Sequence, residues 1–419
     1  MTIPATISVS FDFSSGATFG YPFTIGDSVY GILGTGILGS SAVPEPVVDL
    51  TPNVYSINIK RGRNIMRDQY ESGTATVKVL DPLSYFNPQN VSSPYYGYLT
   101  PLRKIRISAI PTSSSAGNSY FLFSGYATEY RYTYPQNEET GYVDIICSDA
   151  FRLMQQATVT TVASAPANQL TGARVAAILN QVAWPSNMRA LDAGFTTCIA
   201  DPGTSRTTLD ALLNAAFSEQ GAFYIDAAGT AVFLDRRTVI SKAGLTPMEF
   251  NQTLGCPYTN LVFSFDDKLI INSAGMTRVG GTQQVSENTA SITKYFPHQL
   301  NQSNLVAETD TDTLNIARIY VATRAETTIR IDAMTVDLMD TQNVPTESML
   351  DMDYFKNLRI KNIQPDGSTI EKVLQAQGFE WNITPNSMKV TITTLEPIVE
   401  GFIIGSNLSG IISTNILAY

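Results

Sequence analysis

Apolar and polar positions alternate with a period of two along much of the chain. Ala75, Val77 and Val79 alternate with Thr74, Thr76 and Lys78, as in a strand that buries one face and wets the other. Residues 104–110, 120–133 and 141–147 predict further strands of this kind. Asn87-Pro88 and the run from Ser113 to Asn118 supply turn chemistry between them. Short strands at such spacing predict an antiparallel barrel or sandwich over 52–150.

The period then lengthens. Val175, Ile178, Leu179 and Val182 fall at i, i+3, i+4 and i+7, which predicts a helix over 171–182 with Thr171 as its N-cap. A second helix over 206–220 would bury Leu209, Leu212, Leu213, Ala216 and Phe217, and Gly221 is placed to end it. A hairpin follows, with strands at 222–225 and 230–235 around the turn Asp226-Ala227-Ala228-Gly229. Strand patterns then return, with one helix near 310–324. In 329–338, Ile329, Ile331 and Ala333 share one parity and Val336 and Leu338 the other, so a bulge is expected near Met334. Val390 and Ile392 among Lys389, Thr391 and Thr393 mark a last regular strand.

The expected fold is mainly β, α+β overall. Two β-barrel-like modules, 45–154 and 249–397, flank an inserted small α+β domain, 155–248. Duplication would account for this succession, although no repeat of fixed period is visible. Residues 1–44 read as an extended arm, punctuated by Gly31, Gly34, Gly36 and Gly39 and bounded by Pro44-Glu45-Pro46. Ordering such a segment costs about 1–2 kcal/mol per residue, so its apolar side chains must be buried against another domain or a neighbouring subunit. Deleting 1–40 is therefore expected to harm assembly more than folding. Residues 398–419 read as a second extended tail.

Composition narrows the functional classes. Apolar residues make up 43%, enough for several cores, while charged residues make up only 15% against a usual share of about 25%. The net charge of -10 argues against gripping nucleic acid, which needs clustered Lys and Arg. Lys60, Arg61, Arg63 and Arg67, and Arg103, Lys104 and Arg106, lie among strand-like residues and form no basic run. An acidic wall past which DNA slides without sticking fits the charge. Cys147, Cys198 and Cys256 are odd in number and widely spaced, giving neither a disulfide framework nor a metal knuckle. No signal peptide is evident at the N-terminus, and no apolar run approaches the roughly 20 residues of a membrane span. Synthesis in a bacterial cytoplasm fits both, and no membrane anchor is expected.

Candidate chemistry is sparse. A Ser-His-Asp or Cys-His arrangement would have to use His298, the single histidine, and no GxSxG elbow occurs. Asp266-Asp267 and Asp310-Thr311-Asp312 lack the glycine and distal glutamate of a calcium loop, and the second pair sits where a helix begins. A carboxylate pair for glycoside hydrolysis can converge from distant positions and stays open. Tyr95-Tyr96-Gly97-Tyr98 and Tyr130-Arg131-Tyr132-Thr133-Tyr134 suit glycan contact or, more commonly, strand and interface packing. No catalytic, cofactor-binding or metal-binding residue is assigned, and no enzymatic activity or cofactor is expected.

Ordered motifs carry a resemblance. Arg61-Gly62-Arg63, Asp68 to Val77, Phe86-Asn87-Pro88-Gln89-Asn90, Ser93-Pro94-Tyr95 and Leu102-Arg103 resemble the N-terminal barrel of siphophage minor tail proteins, the hub subunits of tail tips. The likeness continues through Cys147 to Leu153, Thr171-Gly172-Ala173-Arg174, Ser218 to Phe223, Asp235-Arg236-Arg237, Gly378 to Pro385 and Leu417-Ala418-Tyr419. It implies a hub-protein-like fold of two similar β-barrels with smaller α/β parts, assembled as a homotrimer. Such a ring caps the tail tube in the virion and contacts the distal tail protein, the tape measure protein and a central fibre or spike. The chain stops soon after the second β region, whereas many such proteins carry long C-terminal extensions, so host recognition or wall degradation would fall to another protein. The alternatives are a receptor-binding tail protein contacting host glycans and a tail-associated cell-wall hydrolase.

Overall fold

A computed structural model describes residues 3–14, 16–19, 47–65, 68–112, 117–134, 140–251, 255–340 and 344–397. The prolines at 44 and 46, Arg67, part of the 113–118 loop, most of the expected arm and the whole of 398–419 lie outside the described residues.

Eight strands come first: β1 (Ala5–Asp12), β2 (Val47–Asp49), β3 (Val54–Asn64), β4 (Gln69–Tyr70), β5 (Thr74–Leu80), β6 (Arg103–Pro111), β7 (Tyr120–Thr133) and β8 (Tyr142–Ser148). The insertion follows with α1 (Phe151–Gln156), β9 (Thr158–Val159), β10 (Gln169–Leu170), α2 (Thr171–Gln181), β11 (Arg189–Leu191), β12 (Thr197–Cys198), β13 (Arg206–Thr207) and α3 (Thr208–Glu219). It closes with β14 (Ala222–Ile225), β15 (Ala231–Leu234) and α4 (Arg236–Ala243). The last part holds β16 (Met248–Asn251), β17 (Asn260–Ser264), β18 (Ser273–Arg278), β19 (Gln284–Glu287), α5 (Thr289–Tyr295), β20 (Gln299–Leu305) and α6 (Asp310–Arg324). It ends with β21 (Arg330–Asp337), α7 (Thr346–Leu350), β22 (Asn357–Ile363), β23 (Thr369–Thr384) and β24 (Ser387–Leu395).

Both β regions belong to one open sheet, in the order β17-β21-β24-β23-β3-β5-β8-β7-β6-β1-β2, with β22 on β23, β16 on β22 and β4 on β3. The modules are thus barrel-like but unclosed. Alternation produces them as expected: Ala75, Val77 and Val79 are buried on β5, and Val390 and Ile392 on β24. The predicted bulge in β21 falls at Asp332 instead of Met334, because Val262 pairs with Ala333 and Phe263 with Ile331. Met334, Val336 and Leu338 consequently share the buried face. The last region holds α5 and α7 besides the expected helix. Both are short, five to seven residues, and too brief for a periodicity to register.

The chain start also differs from a free arm. β1 pairs with β6 over eight residues, and Val9, Phe11 and Phe13 are fully buried. In the described part of the expected arm, these apolar side chains are therefore buried within the first module of the same chain.

The two modules share one topology. β3, β5, β6, β7 and β8 lie in the spatial order β3-β5-β8-β7-β6, and β17, β21, β22, β23 and β24 lie in the order β17-β21-β24-β23-β22. The correspondence extends to single residues. Thr128 is the extra residue where β7 meets β8, and Gln377 is the extra residue where β23 meets β24. Just before the third strand of each module, Leu102 and Phe355 both take a left-handed φ of 65°. Their N–H groups donate to the carbonyls of Ala127 and Ala376, at 2.7 and 2.9 Å. Two non-glycine residues in so rare a conformation, at matching positions, identify a duplication that the amino-acid types conceal.

Candidate functional site

The modules join where β3 runs antiparallel to the C-terminal half of β23, from Ile57 opposite Ile383 to Gly62 opposite Gly378. A Cβ on Gly62 would stand 3.2 Å from the Cα of Gly378, so paired glycines let the backbones approach where the strands part. From this seam β3 directs two arginines into a buried layer.

Arg63 reaches Asp68 at 2.8 Å, and Arg324 of α6 reaches the same carboxylate oxygen at 2.8 Å. Tyr320, one turn earlier on α6, donates to the other oxygen at 2.6 Å. Asp68 itself sits at φ 57°, a strained position held by these partners. Burial would raise its pKa, but the charges of Arg63 and Arg324 and the hydrogen bonds from Tyr320 and Arg324 outweigh it and hold the carboxyl at about 2. Next to it, Tyr70 donates to Gln377 Oε1 at 2.9 Å, and burial pushes its phenol well up.

Arg61, 4% exposed, forms the second knot. It contacts Asp353 at 3.2 Å and lies over the rings of Tyr354 and Phe379, 5.1 and 5.7 Å from their centroids. Asp149, at the end of β8, accepts from the N–H of Gly73 at 2.6 Å, from Ser72 at 2.9 Å and from the N–H of Phe151 at 3.0 Å. Burial nevertheless lifts its carboxyl to about 6. Burial also raises Asp226, on the insertion hairpin. First module, insertion and second module thus meet around one buried set of charges and rings.

A cavity of about 100 Å³ lies beside Asp68, lined by Tyr70, Phe217, Tyr320 and Gln377 among others, room for about three waters. Asp68 and Glu396 are its carboxylates. A carboxyl held near 2 is the opposite of a general acid, which needs a raised pKa.

The candidates read from sequence are dispersed. His298 Nε2 lies 3.1 Å from the Tyr295 carbonyl and 3.8 Å from Asp267. Cys147, Cys198 and Cys256 are buried and free, and burial raises Cys198 to about 11 and Cys256 to about 12. Asp266 takes Arg330 at 2.9 Å. Thr309 caps α6 in a capping box with Asp312, while Asp310 takes Arg278 at 2.6 Å. Among the described residues no three His, Cys, Asp or Glu side chains converge as a metal site.

Arg61, Arg63, Lys104 and Arg106 of the basic clusters are engaged internally, Lys60 is exposed, and Arg67 lies outside the described residues. Lys104 is 2% exposed, 3.3 Å from Asp12, and Arg106 lies over the rings of Phe19 and Phe121. Tyr95 and Tyr98 pack on Phe13, and Tyr130 on Phe11 and Phe86. Tyr96 is half exposed. Sequence reasoning gave no role to Asp353, Tyr320 or Arg324, since their partners lie 252 to 292 residues away. Among the described residues no helix is long and apolar enough to cross a membrane.

This fold is similar to that of solved phage tail proteins. The structure is similar to the 43 kDa tail protein of prophage MuSo2 from Shewanella oneidensis, with a TM-score of 0.52 and 12% identity over 84% of this chain and 96% of that one. It is similar also to the tail protein from Neisseria meningitidis MC58, with a TM-score of 0.51 and 12% identity over 84% and 94%. Identity this low speaks to fold alone. No protein-family model matches the chain, and no curated protein matches it in sequence.

Proposed function

We propose that this chain is a structural hub component of a bacteriophage tail tip, a non-enzymatic part of the virion that works by shape. The observation that carries the reading is the single sheet in which two like modules are joined by strand pairing, in a fold shared with phage tail proteins. A homotrimeric ring of such chains would present six like modules around a channel, so threefold assembly can meet a sixfold tube. The ring caps the tail tube and contacts the distal tail protein, the tape measure protein and a central fibre or spike. DNA passes its acidic wall without specific binding, and assembly takes place in the host cytoplasm. The functional units are 45–154 together with β1, 155–248 and 249–397, with 398–419 as a terminal segment that engages neighbours.

The internal packing of Tyr95, Tyr98 and Tyr130 lends little to a glycan-binding surface. The test is negative-stain imaging of virions labelled with antibody against this chain. Label is expected at the distal tail end, and label on the capsid would reject the reading.

A further inference from the structure

The junction between β3 and β23 has a counterpart whose two halves are both unpaired among the described residues. Within the chain, β3 is covered on one side by β5 and on the other by the C-terminal half of β23. By the duplication, β17 corresponds to β3. It pairs with β21 and, among the described residues, has no strand on its other side. The end of β7 corresponds to that half of β23. Residues 129–133 pair with β8, whereas the pairing with β6 stops at Ala127. Among the described residues, each chain therefore holds one junction formed and the two edges of a second one unpaired.

We propose that β17 of one copy adds to the open edge at the end of β7 in a second copy of this chain, in the register of β3 on β23. The proposal rests on the ring reading above and supplies its interface. Matching the unpaired extra residues Gln377 and Thr128 sets Phe379 opposite Ile392 against Tyr130 opposite Ile145, and following the ladders through Met334 and Val77 matches Leu261 with Ile57, which fixes the alignment. Tyr132 then faces Phe263 and Thr133 faces Val262, as Trp381 faces Ile59 and Asn382 faces Asn58 within the chain. Tyr130 likewise faces Phe265.

Exposure supports this assignment. Ile59, under β23, is 1% exposed, whereas its counterpart Phe263 is 36% exposed, Val262 42% and Phe265 69%. Val262 and Phe263 point to opposite faces, so among the described residues neither face of this edge is fully covered. β17 also carries no lysine, proline or other charge, the devices by which solvent-facing edges avoid pairing. Aromatic and β-branched pairs across strands are those that stabilise a sheet most. Beyond Phe265 the alignment would set Asp266 against Glu129, so the added pairing ends there, with Asp266 already held by Arg330. Because the two edges differ, the contact is head-to-tail, and it makes a ring when the rotation closes.

The test is the full-length double variant Val262→Cys/Thr133→Cys, oxidised mildly and run on non-reducing gels, with the wild-type oligomer measured by light scattering. The three native cysteines are buried and give the background. Covalent multimers are expected from the double variant and not from either single one, and Val262→Pro should dissociate the wild-type oligomer into folded monomers. A wild-type oligomer that survives Val262→Pro and gives no covalent multimers overturns this interface while leaving the ring intact. A wild-type chain that stays monomeric at high concentration overturns both.

Discussion

Replacing Asp68 by asparagine should loosen the junction of the modules more than any surface change. Its carboxyl is held at about 2 against an ordinary 3.8, a little under two units, or about 2.5 kcal/mol of stability at neutral pH. The variant also leaves Arg63 and Arg324, with side chains 12% and 9% exposed, facing each other without an anion. Breaking a buried ion pair from one side costs about 3–5 kcal/mol, so the total loss should fall there. Trp381, 2% exposed on β23 at the seam, reports on this region once Trp184 is replaced by phenylalanine. Urea unfolding followed by its fluorescence should show a midpoint lowered by about 1 M or more. The sign of the pH effect is fixed: a depressed acid stabilises fully above 3.8 and loses its contribution as pH falls through about 2. The gap between wild type and variant should narrow over that window. Equal midpoints at pH 7, or a gap that ignores acidification, would refute the role given to the Arg63–Asp68–Arg324 cluster.

Asp149 should behave in the opposite sense. Its folded pKa of about 6 lies above 3.8, so its contribution is fully present below 3.8 and is lost as pH rises toward 6; Asp149→Asn should flatten the stability profile between pH 4 and 6, as thermal melts can check. A Cβ on Gly221 would stand 2.1 Å from the Leu234 carbonyl oxygen, so Gly221→Ala should lower the melting temperature by several degrees or abolish soluble expression. Deleting residues 1–14 removes β1 with its buried Val9, Phe11 and Phe13, and should expose the first module to limited proteolysis even in the monomer. That reverses the order of effects expected for an arm.

What was legible in the sequence followed from local rules. The alternation around Val77 placed β5, and the helical spacing placed α2, α3 and α6 within two residues of their ends. The local rules failed where a distant partner intervened. Thr171 was expected to cap α2, yet Leu170 holds that position and the Thr171 hydroxyl donates to Glu219 at 2.7 Å. Gly221 was expected to end α3, but Gln220 takes the left-handed position at φ 58°, and Gly221 is needed instead for its approach to Leu234. The buried cluster around Asp68 left no local trace because Tyr320 and Arg324 return to it only through the fold. The duplication left none because Ile59 and Phe263, or Leu102 and Phe355, share a place in the backbone and not a side chain.

The seam of β3 and β23 has a mechanical consequence. A slip of one residue along it would turn Trp381 and Ile59 outward and their polar neighbours inward, so the modules cannot creep past one another by small steps. The pair must move as a single stiff unit, and any opening of an assembly built from it would have to occur between chains.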